Sequence, residues 1–295
     1  MKRSRRARAE ARWGQAFVAI PVLGFVIFAL GPMLVSLYLS FTHYEVLTPP
    51  RWVGLDNYVR LFTRDFFVGR TLANTAFYLL GIPVGMALSL LLALALNQKL
   101  RLQLFFRTVY FIPSVCSIVA AALLWKWIYS ADYGLINTYL RALGVSDPPA
   151  WLSSPVLVKP ALMVMGIWGG LGYNMVLFLA ALQGVPRPLL EAAELDGANA
   201  WQRFRYVILP AISPMTFFVA VTSVIGGLQN FDQVYVMTRG GPEYRSATYM
   251  LYLYVTGFQY SQMGYASAMA WVLGALVLCV TALQFRLARR WVHLG

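Results

Sequence analysis

Negative charge is scarce in this sequence. Its 295 residues hold 11 Asp and Glu against 24 Lys and Arg, and charged residues make up 12% of the chain, about half the share of an ordinary soluble domain. Cysteine is nearly absent. Cys116 and Cys279 both fall in apolar stretches, where a thiol behaves as a small hydrophobe, so neither a disulfide framework nor redox chemistry is expected. The two histidines, His43 and His293, lie outside the central apolar stretches, whereas a proton-coupled carrier would be expected to keep histidines or acids near the bilayer midplane. None of the four lysines, Lys2, Lys99, Lys126 and Lys159, follows the glycine-rich spacing that cradles phosphates. No metal-ligand cluster and no nucleophile–base constellation appears, so no catalytic or metal residue is assigned. A proton-coupled secondary transporter and a non-transport membrane enzyme are the alternative readings.

What is abundant is apolar surface: 59% of residues are hydrophobic and the mean hydropathy is +0.62, which places the chain in a bilayer. Six stretches reach the roughly 20 residues a crossing helix needs. They lie at about 14–39, 71–96, 106–129, 156–183, 212–236 and 264–286. The first is longer than a signal-peptide core and no small-residue cleavage site follows it, so it is read as a span. With the N-terminus inside, the cytoplasmic segments take Arg3, Arg5, Arg6, Lys99, Arg101, Arg107, Arg187, Arg203, Arg205, Arg286, Arg289 and Arg290. The outer side takes fewer cations, among them Arg51, Arg60, Arg64 and Arg239. Both termini are therefore expected in the cytoplasm. The net charge of +13 then reflects topology and contact with anionic lipid; no nucleic-acid partner is expected, because no binding module accompanies the charge. Trp125, Trp127 and Tyr129 are expected at the headgroup zone, with Lys126 snorkelling between them. The organisation is a basic segment at 1–13, six spans within 14–286 and a tail at 287–295.

One polar passage interrupts this pattern, between the fourth and fifth stretches at about 186–211. Pro186 and Pro188 interrupt the incoming helix, and Leu189 to Leu195 suit a short helix with Glu191 and Glu194 neighbouring. Gly197 suits the positive backbone angle that ends it. Asn199, with Gln202 three residues on, is placed to cap a second short helix that Pro210 is expected to stop. Ala192, Ala193 and Ala198 leave room for close approach. Glu191, Glu194 and Asp196 offer charge to a partner, and Leu195, Trp201, Phe204 and Ile208 offer apolar area to that partner or to the spans. Amphipathic helices that simply lie on a membrane favour Lys and Arg on the polar face, so three acids here point to a protein partner.

The passage Glu191-Ala192-Ala193-Glu194-Leu195-Asp196-Gly197-Ala198, running on through Phe204 to Pro210 and Pro214, resembles the EAA loop of permease subunits in ATP-binding cassette importers, especially the carbohydrate-uptake branch. Gly54-Leu55-Asp56-Asn57-Tyr58, Asn74-Thr75, Trp151-Leu152, Phe231-Asp232, Thr238 to Pro242 and Gly264 to Ala268 look like further features of that family. The resemblance implies an all-α integral membrane protein of six transmembrane helices, with type I importer permease (MetI-like) architecture, in a bacterial or archaeal cytoplasmic (inner) membrane. It implies four kinds of partner: a second, related permease as heterodimer partner, two ATPase subunits, an extracytoplasmic solute-binding protein, and the lipid bilayer. This chain would bind no cofactor, with ATP and Mg held on the ATPases. Glu191, Ala192, Ala193, Asp196, Gly197, Ala198, Phe204 and Pro210 would couple to the ATPase.

A sugar path needs amides and hydroxyls beside aromatic faces. The stretches flanking the loop supply Trp168, Tyr173 and Asn174 on one side, and Ser223, Gln229, Asn230, Phe231 and Asp232 on the other. Gly169, Gly170, Gly172, Gly226 and Gly227 would permit bending or close packing there. Asp232 sits near the outer end of its stretch, where solvation or pairing with Arg239 competes with contact to solute.

Overall fold

Proline and glycine decide where the apolar stretches stay straight and where they break. The computed structural model describes residues 5–98, 101–289 and 291–292, with side chains from Trp13 onward. Lys2, Arg3, Lys99, Arg290 and His293 lie outside the described residues. Among the described residues, four helices are long and apolar enough to cross a membrane: Trp13–Ser40, Phe66–Leu96, Val158–Gln183 and Met263–Ala288. These correspond to the first, second, fourth and sixth expected spans. The other two are bent pairs, Gln103–Val115 with Ile118–Ile128 at 99°, and Ala200–Ala211 with Ser213–Leu228 at 66°. The expected all-helical fold forms, and the sheet among the described residues is one antiparallel ribbon pairing Thr42 with Trp52 and His43 with Arg51.

The third expected span is therefore not one straight helix. Pro113 removes a backbone donor near its middle, and Cys116 adopts an extended backbone with ψ 147°. Nor does the fifth continue to 236. It ends at Leu228, and a separate short helix, Asp232–Met237, begins after a break at Gln229 to Phe231. Two glycines, Gly226 and Gly227, precede that break, where helix propensity is lowest.

The chain divides into two compact units, one of Met1–Asp65 with Leu253–Gly274 and one of Phe66–Tyr252 with Ala275–Gly295. In the first, buried Asn57 donates to the carbonyls of Ser40 (2.9 Å) and Thr42 (2.8 Å), and the Tyr58 hydroxyl lies 2.8 Å from that of Ser40. Gly264 packs so closely that a Cβ there would stand 2.1 Å from the Thr42 carbonyl oxygen. Its neighbour Tyr265 donates to Asp65 at 2.8 Å and lies under the Arg60 guanidinium at 4.0 Å. Backbone capture by a buried amide and a bare glycine contact are thus the local reasons for the residues at 54–58 and 264–268.

In the second unit, a buried apolar cluster joins Ala93 and Leu96 to Met175, Phe178, Leu179, Leu182, Val185, Ile212 and Val219. Gly172 brings the helix Val158–Gln183 against Gln103–Val115, since a Cβ would meet the Tyr110 carbonyl oxygen at 2.1 Å and Phe111 Cα at 2.8 Å. The aromatics expected at the headgroup zone divide. Trp127 is exposed, as expected of an interfacial ring. Trp125 instead packs edge-on to Trp168 at 5.6 Å and beside Tyr129 at 5.2 Å, and the buried Tyr129 donates to the Ala161 carbonyl at 3.0 Å. Burial of both rings against the fourth helix overrides the preference for headgroups.

Candidate functional site

The polar passage folds as helix, turn, helix, and its turn is fixed by backbone chemistry. The first helix is Arg187–Leu195, with Pro188 at its second position, where a missing N–H costs nothing. Gly197 has φ +79°. Its N–H donates to the Glu194 carbonyl at 3.0 Å, and the Ala198 N–H reaches back to the Ala193 carbonyl at 2.9 Å. These two bonds make a Schellman cap, so Ala193 and Ala198 are its outer pair. Nothing lies within 4 Å of a Cβ placed on Gly197; the positive φ, not space, selects glycine. Asn199 and Gln202 form the expected reciprocal box, at 2.9 Å and 2.8 Å.

Glu194 pairs with Arg203 across the turn. One expectation changes here. Pro210 does not stop the second helix. The residues Phe204–Ile208 form a π-helical turn, with the Leu209 N–H donating to the Phe204 carbonyl, and the helix passes through Pro210 to Ala211. Wider π spacing removes the clash of the proline ring with the carbonyl four residues back. The break comes at Ile212, which is buried in the cluster.

The apolar residues of the passage separate by face. Leu190 and Ile208 pack on the cluster containing Met175, Phe178, Ile212 and Val219. Leu195 is 90% exposed and Trp201 68%, with the Phe204 ring 5.7 Å from that of Trp201. Glu191, Ala192 and Asp196 are exposed beside them. The element is therefore fastened to its own helices by one side and presents acid and uncovered apolar area on the other.

A cavity of about 490 Å³ lies among the helices on either side of this passage. Trp168, Asn174, Ser223, Gln229, Asn230, Phe231 and Asp232 all line it, as do Cys116 and Ile118 at the bend in the third stretch. Tyr173 does not; it is half exposed, one helical step away from Asn174. Glycines make the room. A Cβ on Gly169 or Gly226 would meet nothing within 4 Å, whereas one on Gly227 would meet Leu79 Cδ2 at 2.7 Å. The two open positions face space and the third is a packing contact.

Several positioning residues escaped the sequence reading. Buried Gln233 donates to the Leu162 carbonyl, tying the short helix Asp232–Met237 to the fourth. Thr248 donates to the Asn230 carbonyl at 2.7 Å and fixes that backbone at the cavity wall. The segment carrying Thr248 is itself held by the second helix. Asn74 donates to the carbonyls of Tyr244 (3.0 Å) and Ala247 (2.9 Å), the Tyr78 hydroxyl donates to Ser246 at 3.0 Å, and the Thr75 hydroxyl accepts from the Tyr249 N–H at 3.0 Å. Arg239, Glu243 and Tyr244 have positive φ in this segment, a conformation that persists where surrounding contacts over-determine it. The Asn74-Thr75 pair was the visible signal.

No groups of His, Cys, Asp or Glu that could hold a metal occur among the described residues. Apolar helices long enough to cross a bilayer, a cavity among them and a fastened polar loop fit a permease, and comparison with known proteins shows the family. Residues 81–293 match the family described as binding-protein-dependent transport system inner membrane component. The chain is 38% identical to the probable ABC transporter permease protein YesP of Bacillus subtilis (strain 168), over 99% of this chain and 96% of that one. It is 37% identical to the lactose transport system permease protein LacF of Rhizobium radiobacter, over 94% of each. A chain in the crystal structure of a bacterial ABC transporter involved in the import of the acidic polysaccharide alginate superposes with TM-score 0.84 at 25% identity, covering 95% of this chain and 96% of that one. The same match recurs in the alginate transporter in complex with alginate pentasaccharide-bound periplasmic protein. This chain belongs to the binding-protein-dependent inner membrane component family, and is a multi-pass permease of an ATP-binding cassette importer.

Proposed function

We propose that the chain forms half of the translocation pathway for a sugar or related polyol. The other half is a second, related permease. An extracytoplasmic binding protein delivers the solute, and two ATPase subunits, holding ATP and Mg, grip the exposed face of the loop at Glu191, Leu195, Asp196 and Trp201. Both termini then lie in the cytoplasm, on the side of the loop, and catalysis of hydrolysis belongs to the ATPases.

One observation carries this reading: Leu190 and Ile208 of the loop share an apolar cluster with Met175 and Phe178, on the same helix as the cavity residues Trp168 and Asn174. From Asn174 to Gln183 that helix spans about 14 Å. A partner that binds the loop differently in two of its own states would shift these helices, since only unequal contacts move an equilibrium. Amides, hydroxyls and aromatic rings in the cavity suit a saccharide, the class of solute carried by the lactose and alginate systems. In reconstituted vesicles, uptake should require ATP, both ATPase subunits and the binding protein. Uptake driven by a proton gradient without ATPase would contradict the proposal.

A further inference from the structure

Of the two systems named above, one carries lactose, which is neutral, and the other alginate, which is acidic, so that pair leaves the charge of this solute open. The cavity bears on that question directly. Among the described residues no Lys, Arg or His lines it, and the one carboxylate is that of Asp232. Asp232 stands exposed in the first turn of the helix Asp232–Met237, and among the described residues it makes no ion pair with Arg239 or any other cation. The remaining polar lining is neutral, and includes Asn174, Ser223, Gln229, Asn230 and Gln233 with the hydroxyls of Tyr78 and Ser114. One feature favours an anion, the start of the helix Ile118–Ile128, which also reaches the cavity. A helix terminus is equivalent to roughly half an elementary charge, against the whole charge of a carboxylate.

A uronate or sugar phosphate entering this space would lose hydration without meeting a counter-charge on this chain, and would face the like charge of Asp232. An uncharged saccharide avoids both costs while its hydroxyls meet the amides and its apolar face meets Trp168. We propose that the cavity takes an uncharged saccharide, and that Asp232 is the specificity-determining residue that turns away carboxylate- and phosphate-bearing sugars. This rests on the cavity being the solute path.

The binding protein would impose its own selection, so the test uses the purified importer complex without it. Galactobiose and digalacturonate, which differ in the groups at C6, are titrated by calorimetry. Galactobiose should bind at least about tenfold more tightly than digalacturonate. Asp232→Asn should narrow that gap severalfold and Asp232→Glu should keep it. Equal or tighter binding of digalacturonate by the unmodified complex would overturn the inference, as would an unchanged gap in Asp232→Asn or binding of neither sugar. If a variant fails to fold, the unmodified complex still decides. Uptake of digalacturonate that depends on ATP and the binding protein would sink this inference alone and leave the importer standing.

Discussion

The loop and the cavity are built by opposite means. The loop is a convex element whose shape comes from its own neighbours in sequence, through the cap at Gly197, the Asn199–Gln202 box and the Glu194–Arg203 pair. The cavity is concave and is assembled from positions far apart, through broken helices and glycines that have no Cβ to fill it. A convex, locally specified element suits recognition by a separate protein. A concave, globally specified one can change shape when its helices move. Damage to the loop should therefore uncouple the permease while leaving it folded, and damage around the cavity should act on packing or on solute.

The largest effect is expected at Gly172. Gly172→Val would force apart two helix backbones, and overpacking of this kind costs about 1–3 kcal/mol or more; the thermal melting of the purified complex should drop by several degrees. Next comes Gly197→Val, which strains a left-handed backbone by about 1–2 kcal/mol where no neighbour is crowded. Melting should fall less than in Gly172→Val, yet uptake and stimulated ATPase activity should fall together, and Gly197→Asn should retain most of both. Asn199→Ala removes one half of the capping box, worth about 1 kcal/mol, and should weaken coupling less than Gly197→Val does. The smallest effect on stability belongs to Gly169→Ala. It adds a methyl group where nothing lies within 4 Å and should raise helix stability by about 0.5–1 kcal/mol, while solute affinity falls as the cavity narrows. Opposite signs of melting shift at Gly169 and Gly172, three residues apart on one helix, would separate cavity from packing; the same sign at both would erase the distinction.

The same contrast explains what could be read in the sequence. Gly197, Asn199 and Gln202 were legible because a cap is a rule about residues within four positions of one another. The pairing of Glu194 with Arg203 crosses a turn, and neither periodicity nor composition announces it. Pro210 looked like a stop because the stop rule assumes α-helical spacing, and the π turn at Phe204–Ile208 evades it. Of the residues that chemistry picked for a solute path, Trp168, Asn174, Ser223, Gln229, Asn230, Phe231 and Asp232 line the cavity. Chemistry also picked Tyr173, because type alone does not tell which side of a helix faces inward. The bend within the third span and the early end of the fifth were missed for a related reason: hydropathy averages over about 19 residues and is blind to a break of two or three. Gln233 and Thr248 act through carbonyls 71 and 18 residues away, distances over which a single sequence carries no pattern.

The central claim is that a cytosolic ATPase seats on the exposed side of the loop. Leu195, 90% exposed and away from the fastened face, is the position to probe. With Cys116 and Cys279 replaced by serine, Leu195→Cys in the assembled importer should cross-link to the ATPase subunit, and the yield should change between nucleotide-free and ATP-bound states. A cysteine there that is instead labelled from outside intact cells, and never joins the ATPase, would contradict the account.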